Sequence, residues 1–257
     1  MIGPKGNLYR VSMFRLFIRL AALLMVIFIM PALAHVGVWT LQDRPSSWRF
    51  ANWSSAGILP EAKDDLPAKV YILSARTGGI KGALASHSWI VLKRKNARFY
   101  DRYDVVGWGR PVRHNAYDAD GRWYSNVPVI ETQIEGERAE KLIPQIEAAI
   151  ADYKWQKHGD YTIWPGPNSN TFVASIIRDV PGFDARTPAT AVGRDYPADG
   201  NWAAFDPSGS LRLSAGGYAG LVIGPEDGLE LNFLGLVAGF NPTKLEIKVP
   251  GFGTFRL

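Results

Sequence analysis

The sequence predicts an α+β fold in which one antiparallel sheet packs against two helices, preceded by a single N-terminal transmembrane helix. Three features of the 257 residues predict this arrangement. An uncharged apolar run lies near the N-terminus, several segments alternate like strands, and two later segments repeat apolar residues at helical spacing. The 26 glycines and 17 prolines favour short strands and turns over long helices.

The N-terminal region has the pattern of a membrane anchor. Residues 1–15 form a basic N-terminus, and residues 16–41 are predicted to be a transmembrane helix, since the run Leu20–Gln42 carries no formal charge and can cross about 30 Å of hydrocarbon. Because basic residues stay cytoplasmic, we expect a single-pass protein of the bacterial cytoplasmic membrane with its domain in the periplasm. The alternative is a cleaved signal peptide, because Ala32-Leu33-Ala34 fits an A-x-A cleavage site.

The charge distribution argues against a nucleic-acid partner. The net charge is +5, but four of the 29 basic residues precede the apolar run, and the other 25 nearly balance 24 acidic residues. A nucleic-acid-binding domain carries its basic excess on the folded surface. No nucleic-acid partner is therefore expected. The predicted partner is the membrane, which the N-terminal helix would enter. The four early basic residues are Lys5, Arg10, Arg15 and Arg19.

The chain contains no cysteine, which excludes disulfides, thiolate metal sites and a cysteine nucleophile. Its four histidines lie far apart in the sequence, so no zinc site is expected. The sequence has no phosphate-binding glycine loop and no dinucleotide fingerprint, and no cofactor is expected.

The region after the apolar run divides into a linker and one domain. Residues 42–68 hold three prolines and mixed charges and are predicted to be a linker that wraps onto the domain, which spans residues 69–257. Within the domain, the glycine-rich part from about residue 200 is predicted to form short strands and turns. The predicted core strands are Val70–Ala75, Ser88–Lys93, Phe99–Val106 and Val127–Ile134, of which the second and third form a hairpin.

Two later segments are predicted to be helices that pack against the sheet. They are residues 137–154 and residues 169–179, and Pro181-Gly182 ends the second. The apolar face of the first comprises Ala139, Leu142, Ile143, Ile146, Ala149 and Ile150.

The string from Trp164 to Val173 (WPGPNSNTFV) holds the candidate chemical site. Its prolines make a rigid loop that delivers Asn168 and Ser169 to the start of the second helix. Unpaired N–H groups at a helix start favour negative charge, so backbone amides near Asn170 can hold the oxyanion formed when a nucleophile attacks. A simple helix cap is the alternative, since Asn and Ser are both good N-caps.

Asn168-Ser169-Asn170-Thr171-Phe172-Val173 resembles the Asn-Cys-x-x-Phe-Val motif of circularly permuted papain-like enzymes, which include the NlpC-like and lecithin–retinol acyltransferase families. In those families a histidine-bearing strand comes first and the nucleophile opens a later helix. His87, before the strand SWIVLK, matches that order. The domain, including Arg102–Trp108 (RYDVVGW), also resembles a bacterial family known only as a domain of unknown function. The first resemblance implies a permuted papain-like fold and acyl transfer or hydrolysis.

Ser169 stands where the papain-like motif has cysteine, and this changes the chemistry required. A serine hydroxyl is not ionised near neutral pH and needs an adjacent base, which His87 would supply. A two-residue loop at Lys95-Asn96 would place His87 opposite Asp104 on one face of the hairpin. Asp104 is therefore the candidate residue for orienting the imidazole.

Alternatives remain for both partners of the serine. His87 can be a structural histidine with a hydrogen bond at a strand start. Asp104 can instead pair with Arg102 or Arg113 at the surface. Moving the hairpin loop by one residue would place Val106 opposite His87.

The predicted function is that of a serine-dependent hydrolase or acyltransferase of the envelope, acting on an amide or ester. A cell-wall or lipid substrate is implied by the resemblance alone. The alternative is a non-catalytic module whose cleft binds a peptide, glycan or lipid. The residues predicted to bind substrate are Asn168, Asn170, Trp164 and Tyr161.

Overall fold

The computed structural model of the chain describes the backbone of residues 4–206 and 208–257, and the side chains from Met13 onward. Residues 1–3, which open the predicted basic N-terminus, lie outside the described residues, and so does residue 207.

A long N-terminal helix precedes the globular part. It consists of α1 (Pro4–Leu24), a π-helical turn (Met25–Ile29) and α2 (Met30–Thr40). Its segment Met13–Thr40 contains an 18-residue stretch with a mean hydropathy of 2.5 and is long and apolar enough to cross a membrane.

A first sheet contains five strands, which are β1 (Lys69–Arg76), β2 (Ser86–Lys93), β3 (Asp101–Val105), β4 (Val112–His114) and β5 (Val129–Glu135). They are antiparallel and lie in the order β4-β3-β2-β1-β5. The third strand begins two residues later than the predicted start at Phe99. Every residue of β2 is buried, because this strand is central and both of its faces are covered.

Two helices, α3 (Glu137–Ala151) and α4 (Ser169–Asp179), cover one face of this sheet. Alternate strand residues, such as Ile72 and Ile90, point to that face and pack with Phe172 of α4 in one apolar core. The predicted mixture of helices and antiparallel strands is confirmed. The first helix ends at Ala151 rather than at residue 154, because the chain turns back there and places Tyr153 in the same core.

Aromatic side chains cover the other face. Tyr71 and Trp89 point to this face from the strands and pack with Trp123 from the loop after β4. Trp53 packs against the same cluster, so the segment between the N-terminal helix and β1 lies on the domain. That contact is reinforced at Asp120, whose carboxylate accepts a hydrogen bond from Ile58 N at 2.8 Å.

The glycine-rich C-terminal part, predicted to form short strands and turns, forms a second sheet in addition to the one sheet that the sequence predicts. Its seven antiparallel strands follow chain order from β12 at one edge to β6 at the other. Glycines permit the tight connections: Gly228, with φ of 73°, lies so close to the neighbouring strand that an added Cβ would be 2.4 Å from Phe240 O. The strands are β6 (Ala203–Phe205), β7 (Leu211–Ala215), β8 (Ala219–Gly224), β9 (Gly228–Phe233), β10 (Leu236–Asn241), β11 (Glu246–Val249) and β12 (Gly253–Arg256).

We expect Phe172→Ala to lower the free energy of unfolding by about 3–5 kcal/mol, because it leaves a cavity between α4 and the sheet. Phe172 is fully buried, whereas Phe99 is 81% exposed, so Phe99→Ala is the control and should change stability little. Chemical denaturation of the full-length protein in detergent, followed by circular dichroism, measures both. Equal effects would contradict the described core.

Candidate functional site

His87 and Asp104 meet on the aromatic face of the first sheet. His87 Nε2 lies 3.3 Å from Asp104 Oδ2, and Arg102 Nη2 donates a hydrogen bond to the same oxygen at 2.9 Å. All three side chains are buried, with His87 only 5% exposed. The pairing of Asp104 with Arg102 therefore lies in the interior, not at the surface as the sequence-based alternative supposed.

The electrostatics favour a neutral imidazole beside an ionised carboxylate. Burial lowers the pKa of His87 below its ordinary value, although Asp104 acts in the opposite direction. Burial by itself would raise the pKa of Asp104, but the hydrogen bond from His87 and the positive charge of Arg102 outweigh it and leave that pKa lowered. With the Nε2 proton directed at the carboxylate, Nδ1 keeps its lone pair.

The predicted register of the hairpin is wrong by two residues. The turn at Lys95-Asn96 does form, with Ala97 N donating to Arg94 O at 3.0 Å, but residues 98–100 do not pair, and Tyr103 lies opposite Ile90. Continuing that register places Val106 opposite His87, which is the alternative pairing, and places Asp104 two residues away from the position that faces His87. Because the displacement is an even number of residues, both side chains keep the same face, where diagonal neighbours can touch.

Trp123 joins this cluster, and its role was missed in the sequence. Its ring stacks on the His87 imidazole, with centroids 3.8 Å apart and planes 8° from parallel. Trp123 also contacts the residues that line an adjoining pocket of about 470 Å³. The abundance of aromatic residues is a signal in the sequence, but nothing in it indicates their convergence. The pocket is lined by Trp48, Trp53, Trp108, Tyr117 and Tyr124.

The start of α4 is capped by Asn168, not by Ser169. Asn168 Oδ1 accepts hydrogen bonds from Asn170 N at 2.9 Å and Thr171 N at 3.1 Å. The amides near Asn170 are thus occupied by the cap, which corrects the expectation that they would hold an oxyanion. Within the described residues, neither the Ser169 hydroxyl nor its backbone N–H forms a hydrogen bond.

The helix start and the strand start are held together beside the candidate residues. Asn170 Nδ2 donates to Ser86 O at 2.8 Å, so this bond joins the residue after Ser169 to the residue before His87. No hydrogen bond links Ser169 to His87 in the described part of the chain. The starts of α4 and β2 therefore lie next to each other, but the His87 side chain points to the aromatic face with Trp123, opposite to the face that α4 covers.

The other two residues predicted to bind substrate have different neighbours. Trp164 packs edge-on against Tyr218 in the turn between β7 and β8, with ring centroids 4.9 Å apart. Tyr161 lies against Gly107, and its burial raises its pKa to about 12. The described residues contain no group of three or more His, Cys, Asp or Glu side chains that could hold a metal ion.

We expect Asn168→Ala to lower the free energy of unfolding by about 1–2 kcal/mol, because two first-turn amides lose their acceptor. Ser169→Ala should change it little, since the Ser169 hydroxyl takes no part in the cap. Denaturation of the two variants side by side checks this. A larger loss of stability in Ser169→Ala than in Asn168→Ala would show that Ser169, and not Asn168, caps the helix.

Stability should fall as the pH drops below 6.5, the ordinary pKa of histidine. Because the pKa of His87 is lowered in the folded protein, the unfolded chain takes up a proton in that range that the folded chain does not. The free energy of unfolding therefore falls by up to about 1.4 kcal/mol per pH unit. Unfolding temperatures across the pH range should show a shallower decline in His87→Gln. His114→Gln controls for loss of an exposed imidazole. If the decline in His87→Gln equals that of the wild type, His87 is not the group responsible for the loss of stability.

Comparison with known proteins identifies the family to which the chain belongs. The family model described as "Protein of unknown function (DUF3750)" matches residues 67–196. That segment includes the first sheet, both of its helices and the His87, Asp104 and Ser169 positions, and it ends before the second sheet begins. No curated protein and no solved structure matches the chain. By the match over about half of its length, the chain belongs to the DUF3750 family.

Proposed function

We propose that the protein is a serine-dependent hydrolase or acyltransferase that acts on an amide or ester in the bacterial envelope, through a domain of permuted papain-like type on the periplasmic side. The observation that carries the proposal is the buried contact between His87 Nε2 and Asp104 Oδ2. It orients a neutral imidazole with a free nitrogen, next to a helix start that presents a serine outside its own cap.

The chemistry follows from these groups. Ser169 Oγ attacks the carbonyl carbon of the substrate, and His87 Nδ1 accepts the hydroxyl proton. Asp104 stabilises the imidazolium that forms, and Arg102 keeps Asp104 ionised before the proton moves. The unoccupied N–H of Ser169 is the donor best placed for the oxyanion.

The tetrahedral intermediate that carries the oxyanion then collapses, and the bond to the leaving alcohol or amine breaks as that group takes the proton from His87. A water molecule or a second alcohol then attacks the acyl-serine, with His87 again acting as base. Water gives hydrolysis, and an alcohol gives acyl transfer. The transfer requires the starts of α4 and β2 to rearrange when substrate binds, because Ser169 and His87 are not hydrogen-bonded in the structure and the His87 side chain points to the face of the first sheet opposite to α4.

The aromatic pocket is the natural place for the apolar part of such a substrate. The buried Trp123 side chain lies between this pocket and His87, because it stacks on the imidazole and also contacts the pocket residues. Aromatic walls hold acyl chains by burial of apolar area and sugar or peptide groups by stacking. A cell-wall amide and a lipid ester both fit this description.

A second candidate function is a non-catalytic binding module for a peptide, glycan or lipid. The pocket of about 470 Å³, walled by five aromatic side chains, favours it independently of the serine. The deep burial of His87 also fits a structural role in supporting Trp123.

Labelling with a fluorescent fluorophosphonate separates the two functions. We expect the full-length protein in detergent-solubilised membranes to be labelled, and labelling to be lost in Ser169→Ala and His87→Ala. Ser175→Ala is the matched control, because Ser175 is a buried serine on the same helix whose hydroxyl donates to Thr171 O at 2.8 Å.

Retained labelling in Ser175→Ala, together with its loss in the first two variants, would support the nucleophile. Absence of labelling in a folded wild-type protein, or equal labelling of all variants, would reject the hydrolase and favour the binding module. Circular dichroism establishes that each variant is folded.

A further inference from the structure

The outward face of the second sheet is a continuous apolar surface. Strand pairing places one row of large side chains directly opposite each other across five neighbouring strands, and each is 38–49% exposed. No position on this face in β6–β12 carries a charged residue. Soluble proteins rarely leave so large a contiguous apolar surface in water. The row consists of Ile223, Leu229, Phe240, Ile247 and Phe255.

The inward face of the same sheet carries the charges. Glu230 and Lys248 point inward, are at most 8% exposed, and form an ion pair with each other. Arg194, from the segment that joins α4 to the second sheet, pairs with Glu230 as well. A sheet with its apolar face outward and its ionic face buried is the inverse of the usual arrangement in water, and it is favourable where the surroundings are apolar.

The N-terminal helix lies against this apolar face. The Phe28 ring of the helix contacts Phe233, with centroids 5.6 Å apart, and His35 contacts Phe252 at 4.6 Å. Phe233 belongs to the outward face, because it follows Leu231 by two residues in β9. The helix and the sheet therefore form one surface.

The position of Phe28 along the helix determines how deep in the membrane its contact with Phe233 would lie. A helix needs about 20 residues to cross the hydrocarbon, and every stretch of that length within Met13–Thr40 contains Phe28. In each of them the helix continues for at least about four residues, or about 6 Å, beyond Phe28 toward the domain. If the helix spans the membrane, Phe233 lies below the hydrocarbon surface.

We infer that the outward face of the second sheet inserts into the leaflet on the domain side of the membrane that the N-terminal helix crosses, with its apolar side chains against lipid acyl chains. The ladders of the inner strands satisfy their own backbone groups, as a surface in contact with hydrocarbon requires. This membrane surface does not depend on the proposed hydrolase activity.

The natural absence of cysteine makes the test direct, since a single introduced thiol takes a label at one site. Phe255→Cys and Thr254→Cys are a matched pair: both residues are exposed in β12, but they point to opposite faces. Leu229→Cys adds a position nearer the centre of the apolar face. Each full-length variant is labelled with an environment-sensitive nitrobenzoxadiazole dye and placed in phosphatidylcholine nanodiscs at one copy per disc.

Phe255→Cys and Leu229→Cys should show blue-shifted emission that is quenched by lipids carrying a nitroxide on the acyl chain. Thr254→Cys should instead be quenched by aqueous iodide. Iodide quenching of all three sites would overturn the proposal. Protection from both quenchers at Phe255→Cys and Leu229→Cys would also overturn it, because the face would then be covered by protein, such as a second copy of the chain.

Discussion

Coverage of the central strand β2 on both faces is the constraint on which the rest of the domain depends. One face packs against α3 and α4, and the other packs against the aromatic cluster around Trp123. A strand buried in this way has one register and one orientation, because a slip by one residue would move every side chain to the wrong face. The position of His87 at its start, and of Asn170 against Ser86, follows from that restriction.

The candidate site and the second sheet are joined by one short segment. Val192 O accepts hydrogen bonds from Asn168 and Asn170, and Gly193 O accepts one from Thr171. The next residue, Arg194, enters the ion pairs beneath the second sheet. The helix start that bears Ser169 is therefore braced by the same chain segment that anchors the membrane-facing sheet, which would place a catalytic or binding cleft close to the bilayer.

The hairpin shows how a sequence-based prediction can be wrong in detail and still find a contact. The register was off by two residues because residues 98–100 leave the ladder, a feature that no pattern marks. The contact between His87 and Asp104 survives this error because strand geometry has a period of two. The expectation that amides near Asn170 would hold an oxyanion had no such protection, since the side chain of Asn168, two residues earlier, already accepts a hydrogen bond from the Asn170 N–H.

The sequence by itself determined the apolar N-terminal helix, the mixture of helices and antiparallel strands, and the helix that begins at Ser169, because length, charge and periodicity are local properties. Tertiary structure alone decided the stacking of Trp123 on His87, the burial of Arg102 and the second sheet with its apolar face outward. These features depend on pairing between residues far apart in the chain. Glycine-rich alternation predicts strands and turns, but it does not tell which face meets the protein and which is left for the surroundings.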